Sequence, residues 1–127
     1  MGIMVCFDIR FPELARLMAL DGARAILVPG SFNMTTGPAH WETLFKCRAM
    51  ENQCFMIGTA DARDARADYV GWGHTILVSP WGEIISEMEG EEGYICNDID
   101  LSEVDEARRQ MPLLSARRDD VYEIKMK

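Results

Sequence analysis

Positive charge is scarce in this chain: thirteen Lys and Arg stand against twenty-one Asp and Glu, a formal net charge of −8. No basic stripe relieves that balance, which argues against a nucleic-acid partner. Long apolar runs are missing as well. The longest are strand-length, such as Ala25 to Pro29, far short of the ~20 residues a membrane-spanning helix needs. No membrane partner is expected, and no signal peptide is recognisable. Histidine is rare, with only His40 and His74, and the four cysteines (Cys6, Cys47, Cys54 and Cys96) are scattered. They form no C-x-x-C pair and have no matching histidine spacing, so a structural zinc site is not expected. A disulfide framework is not expected either, because the chain is not a small secreted scaffold. No Gly-Lys-Ser/Thr follows the glycines of the 30–37 loop, which excludes a phosphate loop. Repeats, low-complexity tracts and linkers are absent too. What remains is 48% apolar and 27% charged, the composition of one globular domain. A cytoplasmic location is the expectation.

One stretch points to chemistry rather than packing: Val5-Cys6-Phe7-Asp8-Ile9-Arg10-Phe11-Pro12-Glu13-Leu14. Gly2 to Val5 reads as a short buried strand. Pro12 suits the first turn of a helix, where its missing N–H would have no partner anyway. Leu14, Leu17 and Met18 follow at helical spacing and Gly22 closes the helix. Cys6 is thereby expected at the carboxyl end of a strand, the edge where open α/β sheets bind ligands. A thiolate there is a nucleophile if a cation or helix N-terminus favours it, and Arg10 is the candidate cation. The backbone N–H of Phe7 would face an oxyanion formed during acyl transfer. The competing readings are a buried, inert Cys6 and an Arg10 held in a structural ion pair.

The run VCFDIRFPEL resembles the nucleophile motif of the nitrilase (carbon–nitrogen hydrolase) superfamily. The resemblance continues through Pro29-Gly30-Ser31-Phe32-Asn33, through Thr35 to Glu42 (TTGPAHWE) and through Arg48-Ala49-Met50-Glu51-Asn52-Gln53. Gly71-Trp72-Gly73-His74 and Ser79-Pro80-Trp81-Gly82-Glu83 extend it. TTGPAHWE and the WGH run are most similar to the omega-amidase branch. The resemblance implies a Cys–Glu–Lys constellation in which glutamate and lysine precede the cysteine. Only five residues precede Cys6 here, so no residue of this sequence inherits those two roles. The chain resembles the carboxyl-terminal half of a complete enzyme. The implied substrate is the side-chain amide of a small dicarboxylate monoamide, such as 2-oxoglutaramate or 2-oxosuccinamate. No metal or organic cofactor is implied, since thiol acyl transfer needs neither.

The remaining pattern predicts α/β with a mixed sheet. Arg24 to Pro29 reads as a second parallel strand, Pro38 as the start of a helix carrying Trp41, Leu44, Phe45 and Ala49 inward, and Phe55 to Ala60 as a third strand. Cys47 and Cys54 read as core or boundary residues. Asp61 to Tyr69 reads as a charged, solvated loop. Thr75 to Ser79 and Ile84 to Met88 form a hairpin around a Pro-Trp-Gly turn, Tyr94 to Ile99 a last strand, and Asp100 with Glu103 a capping-box start to a final helix. The resemblance implies that residues 1–127 supply one half of an α-β-β-α sandwich. That half would expose an apolar sheet face or edge, leaving it oligomeric, marginally stable or dependent on a companion N-terminal half. The tail, 113–127, is a candidate subunit interface or a frayed end.

Three functions stay open on this reading: a cysteine amidase of the omega-amidase kind, a catalytically silent module that assembles with a partner chain, and a thiol redox or metal protein. A Cys6–histidine pair through His40 or His74 is a further candidate, to be judged by geometry.

Overall fold

The computed structural model describes residues 1–127. Strand β1 (Gly2–Ile3) leads into a 3₁₀ turn (Cys6–Arg10), then α1 (Pro12–Leu20), β2 (Ala25–Pro29), α2 (Thr36–Asn52) and β3 (Phe55–Thr59). The hairpin β4 (Ile76–Val78) and β5 (Ile84–Glu87) follows, and α3 (Ser102–Gln110) closes the regular structure. The five strands form one sheet in sequential order, parallel from β1 to β3 and antiparallel from β3 to β5. This is the mixed α/β sheet expected.

Two right-handed crossovers that step in one direction put both connecting helices on one face of the sheet. The core there joins Met4, Ile26, Val28, Met56, Ile76 and Val78 of the sheet side to Ala15 of α1 and to Trp41, Phe45 and Ala49 of α2. Alternate residues face the other way. Ala25, Phe55 and Leu77 meet Val104 of α3, with Ile95 and Ile99 partly buried against them. Farther along that second face, Ile3 keeps 58% of its surface exposed.

Local chemistry explains the element ends. Pro12 opens α1, and α1 stops where Gly22 takes φ +91°. There the amides of Gly22 and Ala23 donate to the carbonyls of Ala19 and Met18, a Schellman closure. Helix α2 begins two residues before Pro38, because Asn33 Oδ1 accepts from the amides of Thr35 (3.1 Å) and Thr36 (2.9 Å).

Three expectations fail. Strand β1 ends at Ile3, with the Met4 amide making the last contact to Leu27 at 3.0 Å, so Cys6 opens a turn rather than closing a strand. Tyr94 to Ile99 forms no strand. Alternation alone does not make one, since a strand needs a neighbour to take its amides and carbonyls, and this segment meets β5 through the Ser86 and Asn97 side chains (2.6 Å) rather than through its backbone. Finally, Asp100 does not head a capping box. Helix α3 starts at Ser102 behind Leu101, and Asp100 Oδ1 instead accepts the Ser102 amide at 2.8 Å.

Candidate active site

Cys6 is one of three non-glycine residues with positive φ, at +47°. A side chain in this left-handed region costs roughly 1–3 kcal/mol and persists only where its surroundings impose it. Asp8 supplies the local part: its Oδ2 accepts the Val5 amide at 3.0 Å, and its own amide donates back to the Val5 carbonyl. A second hold comes from α2. Arg48, only 5% exposed, donates Nε to the Ile9 carbonyl (2.9 Å) and Nη2 to the Arg10 carbonyl (3.1 Å). Its Nη1 pairs with Glu51 at 3.0 Å, so the buried charge is compensated. Beside the turn, a Cβ on Gly30 would lie 2.9 Å from Cys6 Cα. Glycine at the end of β2 is what allows the turn to sit this close.

The Cys6 thiol faces the Ser31 carbonyl at 3.7 Å. The same carbonyl accepts the Tyr69 hydroxyl at 2.9 Å, which ties the charged 61–70 loop to the site. These groups, with Phe7, Arg10, Phe32 and Asn33, line a cavity of about 290 Å³. The Phe7 amide has no backbone acceptor.

Arg10 is not the ion-pair partner anticipated: no carboxylate lies within bridging distance of it. Its guanidinium carbon sits 4.5 Å from the Phe32 ring centroid and 5.3 Å from that of Phe7. Its Nη1 lies 3.1 Å from His40 Nδ1. Neither histidine pairs with Cys6. His40 is engaged by Arg10, and His74 stacks on Trp72 with centroids 4.0 Å apart. No Asp, Glu, Lys or His lines the Cys6 cavity. The arrangement can hold a thiol, a free cation and an unpaired amide around a small anionic molecule, but it contains no general base.

The other thiols differ in setting. Cys54 is fully buried, and burial pushes its thiol up to about 12. Burial, with Glu51 nearby, also raises Cys47. Cys96 is exposed. A larger hollow of about 650 Å³ opens on the second face of the sheet, between β5 and α3, and contains neither cysteine nor histidine. The loop from Gly30 to Gly37 reads in sequence as a binding-site rim, and Ser31, Phe32, Asn33 and Thr36 of it line the cavity; sequence reading missed Arg48 and Tyr69 as parts of the site. Arg48, Gly30 and Asn33 lie within segments that carry the family resemblance, but nothing in their spacing shows that they converge on Cys6.

The carbon-nitrogen hydrolase family profile matches residues 1–109. Omega-amidase NIT2 of Xenopus tropicalis is 48% identical over 126 residues, covering 99% of this chain and 46% of that protein. Saccharomyces cerevisiae Nit3, a member of branch 10 of the nitrilase superfamily, superposes with a TM-score of 0.88 at 39% identity, over 92% of this chain and 43% of its own. A mutant amidase from Nesterenkonia, in which the acetamide moiety of fluoroacetamide is covalently added at the active-site cysteine, superposes with a TM-score of 0.73 at 26% identity, over 94% of this chain and 41% of its own. The chain thus spans about half the length of the curated relatives it matches.

Proposed function

Because the chain belongs to the carbon–nitrogen hydrolase family, we propose that Cys6 is the nucleophile of an amide-cleaving centre whose base and lysine come from a companion N-terminal half. The observation that carries this reading is the left-handed turn at Cys6, which presents the thiol to a small cavity beside an unpaired guanidinium. The Cys6 thiolate attacks the amide carbon, and the carbonyl oxygen takes the negative charge facing the Phe7 N–H. The C–N bond breaks and the nitrogen leaves as ammonia, carrying the proton taken from the thiol. Water then cleaves the thioester, releasing the carboxylate and restoring the thiol. Arg10 suits the far end of a dicarboxylate monoamide such as 2-oxoglutaramate, because a guanidinium without a carboxylate partner favours a planar anion.

Ammonia release from 2-oxoglutaramate tests the proposal, measured with the companion half supplied. Cys6→Ala is expected to lower the rate by at least about 10³-fold, since removing a covalent nucleophile removes the acyl-enzyme route. Full activity in that variant would overturn the assignment. The lack of any carboxylate, lysine or histidine at the cavity wall favours a second reading of the isolated chain: alone it is a silent module, and turnover appears only on assembly. Turnover by the 127-residue chain alone would refute that second reading.

A further inference from the structure

Arg10 is fixed on several sides, and each side is a separate observation. Its carbonyl is clamped by Arg48. Phe32 and Phe7 flank its guanidinium. One edge is held by His40, which projects from α2 and meets Nη1 at 3.1 Å. Nε is buried and has no protein partner. Arg10 can only donate, so His40 must accept through an unprotonated Nδ1, which places the imidazole proton on Nε2. Without that acceptor the two rings still flank the guanidinium, but no hydrogen bond fixes its turn within its own plane, and a long flexible side chain pays entropy to be held in one pose.

We propose that His40 is a positioning residue: by accepting from Nη1 it orients the plane of Arg10 so that the remaining N–H groups present to an anion entering the Cys6 cavity. His40 thereby sets the preference of the site for a carboxylate-bearing over a neutral reactant. The inference rests on the substrate reading given above, and deepens it by naming the residue that enforces charge selection. A protonated or apolar residue at position 40 does not serve, whereas a neutral amide acceptor does.

The test needs no turnover. Cys6 of the 127-residue chain is alkylated at fixed pH with iodoacetate or with iodoacetamide, reagents of similar size that differ in charge, and the two rates are resolved by peptide mass spectrometry. Exposed Cys96 in the same sample is the internal reference. Relative to Cys96, the iodoacetate-to-iodoacetamide ratio at Cys6 is expected to be raised about tenfold by the fixed cation. Arg10→Met and His40→Leu should each bring it down to the ratio of Cys96, while His40→Gln should keep most of the preference. The chain unfolded in urea supplies the ratio without structure. A wild-type ratio in His40→Leu, with far-UV circular dichroism unchanged, overturns the positioning role; so does loss of the preference in His40→Gln, and so does a native ratio equal to that in urea. An unchanged ratio in Arg10→Met removes the anion anchor and the inference with it. The amidase assignment itself is decided separately, by ammonia release in the Cys6→Ala assembly.

Discussion

The two faces of the sheet are built from the same strands and end up in opposite conditions. On the helix side Met4, Ile26, Val28, Met56, Ile76 and Val78 are sealed beneath α1 and α2. On the other side Ile3 and Ile85 keep 58% and 42% of their surface in water, Leu27 and Ile57 are half-buried, and α3 with Ile95 and Ile99 covers only one end. Both faces are apolar by composition, so the difference lies in what the rest of the chain places over them. Polarity along the strands encodes a two-sided core, of which this chain closes one side. An uncovered apolar face of this kind is a docking surface or an aggregation liability.

The largest contrast should come from truncating the sealed side. Trp41 packs against Phe32 and Phe45 at centroid distances of 5.0 and 4.7 Å, and its indole N–H donates to the His74 carbonyl. Trp41→Ala is expected to cost about 3–5 kcal/mol in urea unfolding; a loss under about 1 kcal/mol would mean that the helix face is not the main core.

Thiols on the two sides give the next contrast. The folded Cys54 thiol is raised from 9.0 to about 12, so the unfolded chain loses that proton first as pH rises. Its stabilising effect is intact below about pH 9 and fades toward pH 12, by up to about 4 kcal/mol at 1.36 kcal/mol per unit. Cys54→Ala should flatten the alkaline limb of the stability curve, while Cys96→Ala on the exposed segment should leave it unchanged. Equal limbs in the two variants would break the comparison.

Between the faces sits the reactive turn. Gly30→Ala forces a methyl to within 2.9 Å of Cys6 Cα and should destabilise by roughly 1–3 kcal/mol, as overpacking does, with a parallel fall in Cys6 alkylation rate. The smallest effect is expected on the open side. Ile3→Thr should change the stability of the isolated chain by less than about 1 kcal/mol, as an exposed substitution does, and weaken assembly with the companion half instead. A loss as large as that of Trp41→Ala would show that the second face is already closed.

Much of this was legible in the sequence. Pro12, Gly22 and the apolar run Ala25–Val28 carry their structural meaning locally, and so does the Pro-Trp-Gly turn of the hairpin. Cys6 stood out as the nucleophile candidate chiefly through the resemblance carried by the run Val5 to Leu14, since the local spacing alone left an inert cysteine open. What escaped depends on distant partners. The turn at Cys6 is held by Arg48 of a distant helix as well as by Asp8. Arg48 reads as one more charged helix residue until its donors are seen on the Ile9 and Arg10 carbonyls. Tyr94 to Ile99 has the alternation of a strand, but that alternation reports its packing of Ile95 and Ile99 against the sheet and not a backbone pairing. Arg10 read as an ion-pair partner because charge usually finds charge, and here two aromatic rings and a histidine took that place.

The Arg48 clamp has a consequence for how portable this motif is. Arg48 stands thirty-nine positions after Ile9, whose carbonyl it holds, so the bend that carries the sulfur is braced in part by a remote helix. Grafting the ten letters from Val5 to Leu14 onto another strand–helix junction would transplant the cysteine but leave its backbone free to relax into an ordinary, less exposed shape. A sequence carrying that decapeptide without an arginine reaching back from the helix after the next strand would then be a look-alike, and the longer pattern is the better criterion for recognising a working site.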